Sequence, residues 1–320
     1  MTQYALIGVA GYIAPRHLKA IKETGGTLAV AYDVNDSVGI MDSHFPDAAF
    51  FTEFEQFEAH VHARRRAGRA IDHVGICSPN YLHKAHMAFS LRAGADAICE
   101  KPLVLDPGEI DELADLETET GRRINSILQL RLHPAILTLR DKVAASPADK
   151  IWDVDLGYFT SRGAWYHASW KGLTHKSGGI ATNIGVHFYD MLGFIFGACR
   201  TNIVHHRADD AAAGYLEFDR ARVRWVLSIN RSHLPAHTPE GQSTHRSITV
   251  DGEEIEFSGG FTDLHTASYQ NILAGSGYGL DVVRPSIELV SRIRHAPIEP
   301  SRGEQHPDIA KVIGKQVIGA

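Results

Sequence analysis

Tyr4-Ala-Leu-Ile-Gly-Val-Ala-Gly-Tyr-Ile-Ala-Pro-Arg-His-Leu-Lys-Ala-Ile-Lys-Glu-Thr-Gly-Gly-Thr-Leu-Ala-Val-Ala-Tyr-Asp33 decides the fold. A short apolar run, Tyr4–Val9, enters a turn with glycines at 8 and 11. Pro15 then opens the amphipathic segment Arg16–Thr24, since proline is tolerated in a first helical turn. Gly25-Gly26 ends that helix, and Thr27–Tyr32 is a second apolar run closing on Asp33. Strand, glycine turn, helix, strand and acid is the order of a dinucleotide-binding βαβ unit. Glycines let backbone N–H groups approach a pyrophosphate, and the helix N-terminus adds partial positive charge. Gly8, Gly11, Tyr12 and Ile13 are thereby assigned to the phosphate turn. Asp33 can accept both adenosine ribose hydroxyls and would repel a 2′-phosphate, which favours NAD over NADP. The spacing departs from the usual G-x-G-x-x-G, which would put glycines at 8, 10 and 13. Gly8, Gly11 and Ala14 read as the same turn with one residue inserted.

Residues 38–70 form a poorly patterned helix and loop region. Ile71–Cys77 is the next buried strand and leads into Ser78-Pro-Asn-Tyr-Leu-His83. Ser78, Asn80 and His83 stand outside a strand's carboxyl end, where polar groups face a nicotinamide ribose. His83 and His86 share a helix face, but with no third ligand they make no metal site. A helix over 84–93 feeds Ala95–Cys99 and then Glu100-Lys101-Pro102. A lysine at a strand mouth loses water, gains a carboxylate neighbour, and can relay protons or donate to a substrate. A helix over Pro107–Thr120, closed by Gly121, and a sixth strand over Ile124–Leu130 complete a doubly wound sheet, with the first domain spanning residues 1–123. After about residue 150 the pattern changes to short strands: Asp153–Thr160, Tyr215–Phe218, Val223–Asn230, Ser247–Val250 and Glu254–Ser258. The Asp251-Gly252 pair signals a hairpin. Residues 124–320 therefore read as an α+β domain with a large, mostly antiparallel open sheet, and self-association is the usual way to cover such a face. His265–Ala274 and Pro285–His295 read as closing helices.

A chain of 320 residues suits two domains, and its 44% hydrophobic and 22% charged content is ordinary for a globular protein. The net charge is −6 and the only basic tract is Arg64-Arg65-Arg66, which disfavours nucleic-acid binding. Cys77, Cys99 and Cys199 are too few and scattered for a disulfide framework. No stretch reaches bilayer length, and the start lacks the pattern of a signal peptide, so membrane insertion is not expected and a cytoplasmic location is.

Ser177–Leu192 carries a second constellation. Asn183 and His187 are four apart and share a helix face, with Asp190 one turn on. Gly178, Gly179 and Gly185 leave room for a ligand or another backbone to come close. His187 has two readings, a hydrogen-bonded core residue or a catalyst.

Taken together, Glu100-Lys101-Pro102, the Ser78-Pro79-Asn80-x-x-His83 turn, Trp170-Lys171 and Gly185-x-His187-x-x-Asp190 resemble the glucose–fructose oxidoreductase / inositol dehydrogenase / rhizopine catabolism (Gfo/Idh/MocA) superfamily. Gly11–His17, Asp36–Gly39, Ser161–Tyr166, Gly185–Asp190 and Gly260–His265 resemble its UDP-N-acetyl-2-amino-2-deoxyglucuronate 3-dehydrogenase subgroup, which acts in O-antigen biosynthesis. The resemblance implies Lys101 and His187 as a catalytic pair, with Asn183 where the superfamily usually has aspartate. It also implies Glu100, Lys101 and Trp170 beside NAD, a homotetramer, and re-oxidation of NADH by 2-oxoglutarate in some members. An amide cannot take a proton, so acid–base work falls on Lys101 and His187. The expected reaction is oxidation of the C3 hydroxyl of a UDP-sugar uronate. Arg131, Arg162 and Lys171 are candidates for its uronate and diphosphate, which need cations or donors and which Arg forks match. Trp165 and Tyr166 stack on uracil or sugar, or belong to the core or a subunit interface. Two rivals are a dehydrogenase of a free sugar or polyol, and a non-catalytic NAD-sensing regulator.

Overall fold

The structure is a computed structural model and describes residues 1–236, 238, 240–255 and 263–313. It divides into two compact units, one of Met1–Leu132 with Phe261–Arg284, the other of His133–Gly260 with Pro285–Ala320. The expectation of a single division after residue 123 differs from this. The chain returns to the first unit late, and the last division falls at Pro285.

The first unit is built on β1 (Gln3–Ile7), β2 (Thr27–Tyr32), β3 (Ala49–Phe51), β4 (His73–Ile76), β5 (Asp96–Cys99) and β6 (Ile124–Ser126). Its connecting helices are α1 (Ala14–Glu23), α2 (Phe54–Arg66), α3 (His83–Arg92) and α4 (Gly108–Thr120). The strand order is β3-β2-β1-β4-β5-β6, all parallel. Apolar runs without alternation are what a sheet covered on both faces requires, and Tyr4–Ile7 and Val74–Ile76 are fully buried. Strand β3 was not located in the sequence because it is three half-buried residues at an edge. The expected strand over Ile124–Leu130 is shorter: only Ile124–Ser126 pairs, and residues 129–132 form a helical turn. Ile127, Leu128 and Leu130 are nevertheless buried, and burial alone does not separate a strand from a packed turn.

The second unit holds α5 (Pro134–Ala144), β7 (Trp152–Thr160), α6 (Ala164–Ala168), α7 (Thr174–Ser177), α8 (Gly179–Asn183) and α9 (Val186–Phe196). Next come β8 (Cys199–Arg207), β9 (Ala211–Phe218), β10 (Ala221–Ser228), β11 (Thr244–Val250) and β12 (Glu253–Glu254). The sheet order is β12-β11-β7-β10-β9-β8, antiparallel except for the parallel β7–β10 pair. The Asp-Gly signal holds: Asp251 (φ 50°) and Gly252 (φ 80°) join β11 to β12 through the positive-φ turn that fits strand twist. Of the expected strand over 254–258, residues 256–258 lie outside the described residues. Strand β8 was missed because Arg200, His205, His206 and Arg207 break its apolar pattern.

Helix α10 (Leu264–Leu273) belongs to the first unit, whereas α11 (Leu280–His295) begins five residues before the expected start at Pro285. Helix α12 (Ile309–Ile313) packs Ile309 and Val312 against Phe159, Ala211, Ala213 and Val226 of the second sheet. Part of that sheet's open face is thus covered by the chain's own late segment. Among the described residues no helix is long and apolar enough to cross a membrane.

Burial depresses the pKa of two histidines to about 4, His86 in the first unit and His306 in the second. Each folded value lies below the ordinary 6.5, so acidification protonates the unfolded chain first. Stability should be full above pH 6.5 and fall towards pH 4, by about 1.4 kcal/mol per pH unit for each histidine. Urea titrations at pH 7 and pH 5 check this, and His306→Asn should flatten the slope.

Candidate active site

The strand order of the first sheet reverses at β1, which pairs with β2 on one side and β4 on the other. Ligands of doubly wound sheets bind outside the carboxyl ends at such a switch. Gly8 sits there with φ +86°, and a Cβ on it would lie 2.7 Å from the backbone of Cys77 and Ser78. Conformation and space both demand glycine at this position. Its N–H donates to the Tyr32 carbonyl (2.8 Å), and its own carbonyl accepts from Gly11 N–H (3.0 Å). Tyr12 is 91% exposed, and Ile13 precedes α1, at whose start Ala14 N–H donates to the Gly11 carbonyl and Arg16 N–H to the Ile13 carbonyl, each at 3.0 Å. Asp33 follows β2 and is buried. One of its oxygens accepts from Ala10 N–H and the other from Asn35 N–H, each at 2.9 Å. Asn35 Nδ2 also donates to the second oxygen at 3.3 Å, so of a carboxylate's about four lone-pair sites capacity for a ribose hydroxyl remains. The cradle and the acid fit a dinucleotide.

The turn after β4 is tied to the turn after β5. His83, expected beside the nicotinamide ribose, is 1% exposed. Its Nδ1 meets the Pro102 carbonyl and its Nε2 the Ser78 carbonyl, both at 2.8 Å. Burial holds its pKa below the ordinary value against the pull of those carbonyls and Glu100, and a neutral ring donates to only one of them at a time. Both nitrogens are engaged within the protein, which makes His83 a tie between turns. Ser78 Oγ lies 2.8 Å from His86 Nδ1, and Asn80 is buried in the same turn. Lys101 is half-buried, and its N–H points to Glu100 Oε2 at 3.4 Å. Arg131 lies after β6 with its guanidinium 5.3 Å from the Tyr278 ring centre.

Glu100 itself, expected at the cofactor, is buried and engaged elsewhere. His17 Nε2 (3.1 Å) and His265 Nε2 (2.9 Å) both reach its Oε1. Burial opposes the charge, but these two contacts outweigh it and hold the carboxyl well below its usual range. Among the described residues this trio is also the one cluster compact enough to hold a metal ion, though its spacings are those of hydrogen bonds. The residue-by-residue reading missed His17 and His265 as site residues. The one signal was that both fall in segments set apart by the subgroup resemblance.

In the second unit, Asn183 ends α8 and His187 lies in the first turn of α9. Asn183 Nδ2 donates to Tyr166 Oη at 2.8 Å. Tyr166 is 3% exposed; burial raises its pKa while Asn183 and the nearby Arg162 pull it down. Trp165 is 56% exposed. Lys171 Nζ lies 4.3 Å from the Trp170 ring centre and 5.8 Å from that of Trp165. The second unit therefore brings Arg162, Tyr166 and Asn183 together, and Trp165, edge-to-face with Tyr166 at 5.8 Å, joins them to Trp170 and Lys171. Gly185 does not open space for a ligand: a Cβ there would strike the Ala181 carbonyl and lie 2.6 Å from the Tyr189 ring. Its need is close packing inside this unit.

Residues 2–127 match the NAD-binding Rossmann-fold domain of the Gfo/Idh/MocA oxidoreductase family, and residues 150–241 match that family's C-terminal alpha/beta domain. The chain belongs to this oxidoreductase family. NAD is accordingly the cofactor of its first domain. The chain is 50% identical to the WlbA (WbpB) dehydrogenase of Thermus thermophilus, crystallised with NAD and UDP-GlcNAcA; the match covers 96% of this chain and 99% of that one, with a TM-score of 0.92. A second structure of that dehydrogenase, with NAD and alpha-ketoglutarate, matches with the same identity and coverage and a TM-score of 0.91. D-glucoside 3-dehydrogenase of Escherichia coli is 28% identical over 39% of this chain and 36% of its own length. The chain spans at most 59% of the length of the first curated relatives it matches.

Asp33→Asn places an amide N–H against one of two backbone N–H groups and removes the charged ribose acceptor. Charged hydrogen bonds contribute about 1.5–3 kcal/mol, so NAD should bind roughly tenfold or more weakly by calorimetry, with the fold retained by circular dichroism.

Proposed function

We propose that this oxidoreductase oxidises the C3 hydroxyl of UDP-N-acetylglucosaminuronic acid to the 3-keto sugar nucleotide. The observation that carries the reading is 50% identity, over 96% of the chain, to a dehydrogenase crystallised with NAD and UDP-GlcNAcA. NAD supplies the hydride acceptor. The hydroxyl must also lose a proton, and that is the work of the protein's side chains. Lys101 contacts the hydroxyl, and His187, whose residue type titrates closest to neutral pH, takes the proton. Asn183 cannot accept a proton; tied to Tyr166, it orients the sugar. Arg131, Arg162 and Lys171 supply cations for uronate and diphosphate, and the exposed Trp165 ring offers a face to uracil. Re-oxidation of NADH by 2-oxoglutarate gives 2-hydroxyglutarate and returns NAD. The dehydrogenase structure with alpha-ketoglutarate supports that half-reaction. A homotetramer is part of the same reading and rests on the subgroup resemblance. The second reading, oxidation of a free sugar, is favoured by the partial match to D-glucoside 3-dehydrogenase.

Purified protein mixed with UDP-N-acetylglucosaminuronate should accumulate 3-keto sugar when 2-oxoglutarate is present. Turnover with added NAD alone would keep the substrate and remove the recycling. Protein that binds NAD yet oxidises only free glucosides would exchange the first reading for the second. Lys101→Ala and His187→Asn should each lower kcat by about a hundredfold or more while NAD still binds; unchanged turnover in either would remove that residue from the chemistry.

A further inference from the structure

Glu100 is 6% exposed, and its donors come from two helices far apart in sequence. His17 on α1 is 0% exposed, and His265 and Tyr269 on α10 are 1% and 0% exposed. Both Nε2 atoms reach the same oxygen, Oε1, at 3.1 and 2.9 Å. A carboxylate only accepts, so each imidazole donates from Nε2. His17 Nδ1 is then a lone pair, and Tyr269 Oη, 2.8 Å away, donates to it. Every proton in the chain from Tyr269 through His17 to Glu100, and from His265 to Glu100, has one assigned position. A protonated Glu100 could not accept both imidazole N–H groups on that oxygen as well as it does now. The carboxylate's orientation is therefore set at Oε1, and Oε2 is left facing the N–H of Lys101 at 3.4 Å. The other titratable groups near Glu100 are Cys77 and Cys99 beside the strand ends, His83 on α3, and Lys101.

We propose that His17, His265 and Tyr269 are positioning residues for Lys101, clamping one oxygen of Glu100 so that the other holds the lysine's backbone in its working orientation. This rests on the reading that Lys101 contacts the reacting hydroxyl. None of the three touches the substrate; they act through Glu100. Glutamine carries two amide N–H donors and can place one close to the position of histidine Nε2, whereas leucine has none, which gives a conservative rescue.

The test compares wild-type protein with His265→Leu, His265→Gln and Tyr269→Phe, each loaded with NAD and labelled with 15N-lysine. Expected for His265→Leu is a kcat for UDP-N-acetylglucosaminuronate at least about tenfold lower, NAD affinity within about threefold, and a displaced Lys101 amide resonance, the loss corresponding to about 1.4 kcal/mol. His265→Gln should recover most of the rate and return the resonance. Should His265→Leu not fold, Tyr269→Phe, which removes one hydroxyl, should still move the Lys101 amide and lower kcat. A folded variant with unchanged kcat and an unmoved Lys101 amide overturns the proposal. So does loss of NAD affinity and rate together without rescue by glutamine, or a stoichiometric metal ion in the purified protein. If the wild type does not oxidise this sugar, the functional reading falls while the Lys101 amide still decides the clamp.

Discussion

A carboxylate with 6% of its surface exposed has to be supplied with donors by the chain around it, and Glu100 draws them from residues 83 and 165 positions away. Taking an ion out of water costs several kcal/mol unless hydrogen bonds replace the lost solvation. Two imidazole N–H groups on one oxygen do so, and the carboxyl stays ionised despite its burial. The consequences reach through the first unit. Helix α1 must turn His17 inward, and α10 must return to the sheet although the chain has meanwhile built most of the second unit. That return explains why the compact unit is discontinuous in sequence.

Around this point the turns at the carboxyl ends of the strands are cross-tied. Gly8 lets the first turn approach the end of β4, and His83 links the turn after β4 to the one after β5. Asp33 holds Ala10 and Asn35. The turns at this end of the sheet are thus held by contacts among the protein's own residues. In the second unit the corresponding fixed point is neutral: the Asn183 amide on the Tyr166 hydroxyl. An amide at this position takes up no proton, and in the proposed reaction that leaves proton movement to Lys101 and His187.

How much of this was legible in the sequence depended on how local each feature is. The βαβ unit, the Asp-Gly hairpin and the strand mouths carrying Ser78 and Lys101 are encoded within 30 residues or fewer, by glycine conformation and apolar runs that a window can register. Strand β3 was invisible because three residues carry no period, and β8 because charged residues interrupt its pattern. Gly185 fitted either a ligand or another backbone coming close, and the neighbouring Ala181 carbonyl, with the Tyr189 ring, decides for the backbone.

The sequence by itself determined the doubly wound first domain, the mostly antiparallel second sheet, a preference for NAD, and the candidacy of Lys101 and His187. Each follows from residue types at short spacing acting on their own backbone. Only the tertiary structure decided that Glu100 and His83 are internal supports, and that His17, His265 and Tyr269 form the donor chain. The physical reason is that a hydrogen bond is fixed by an approach of about 3 Å in space, and no period in the sequence announces which distant helix will supply the donor.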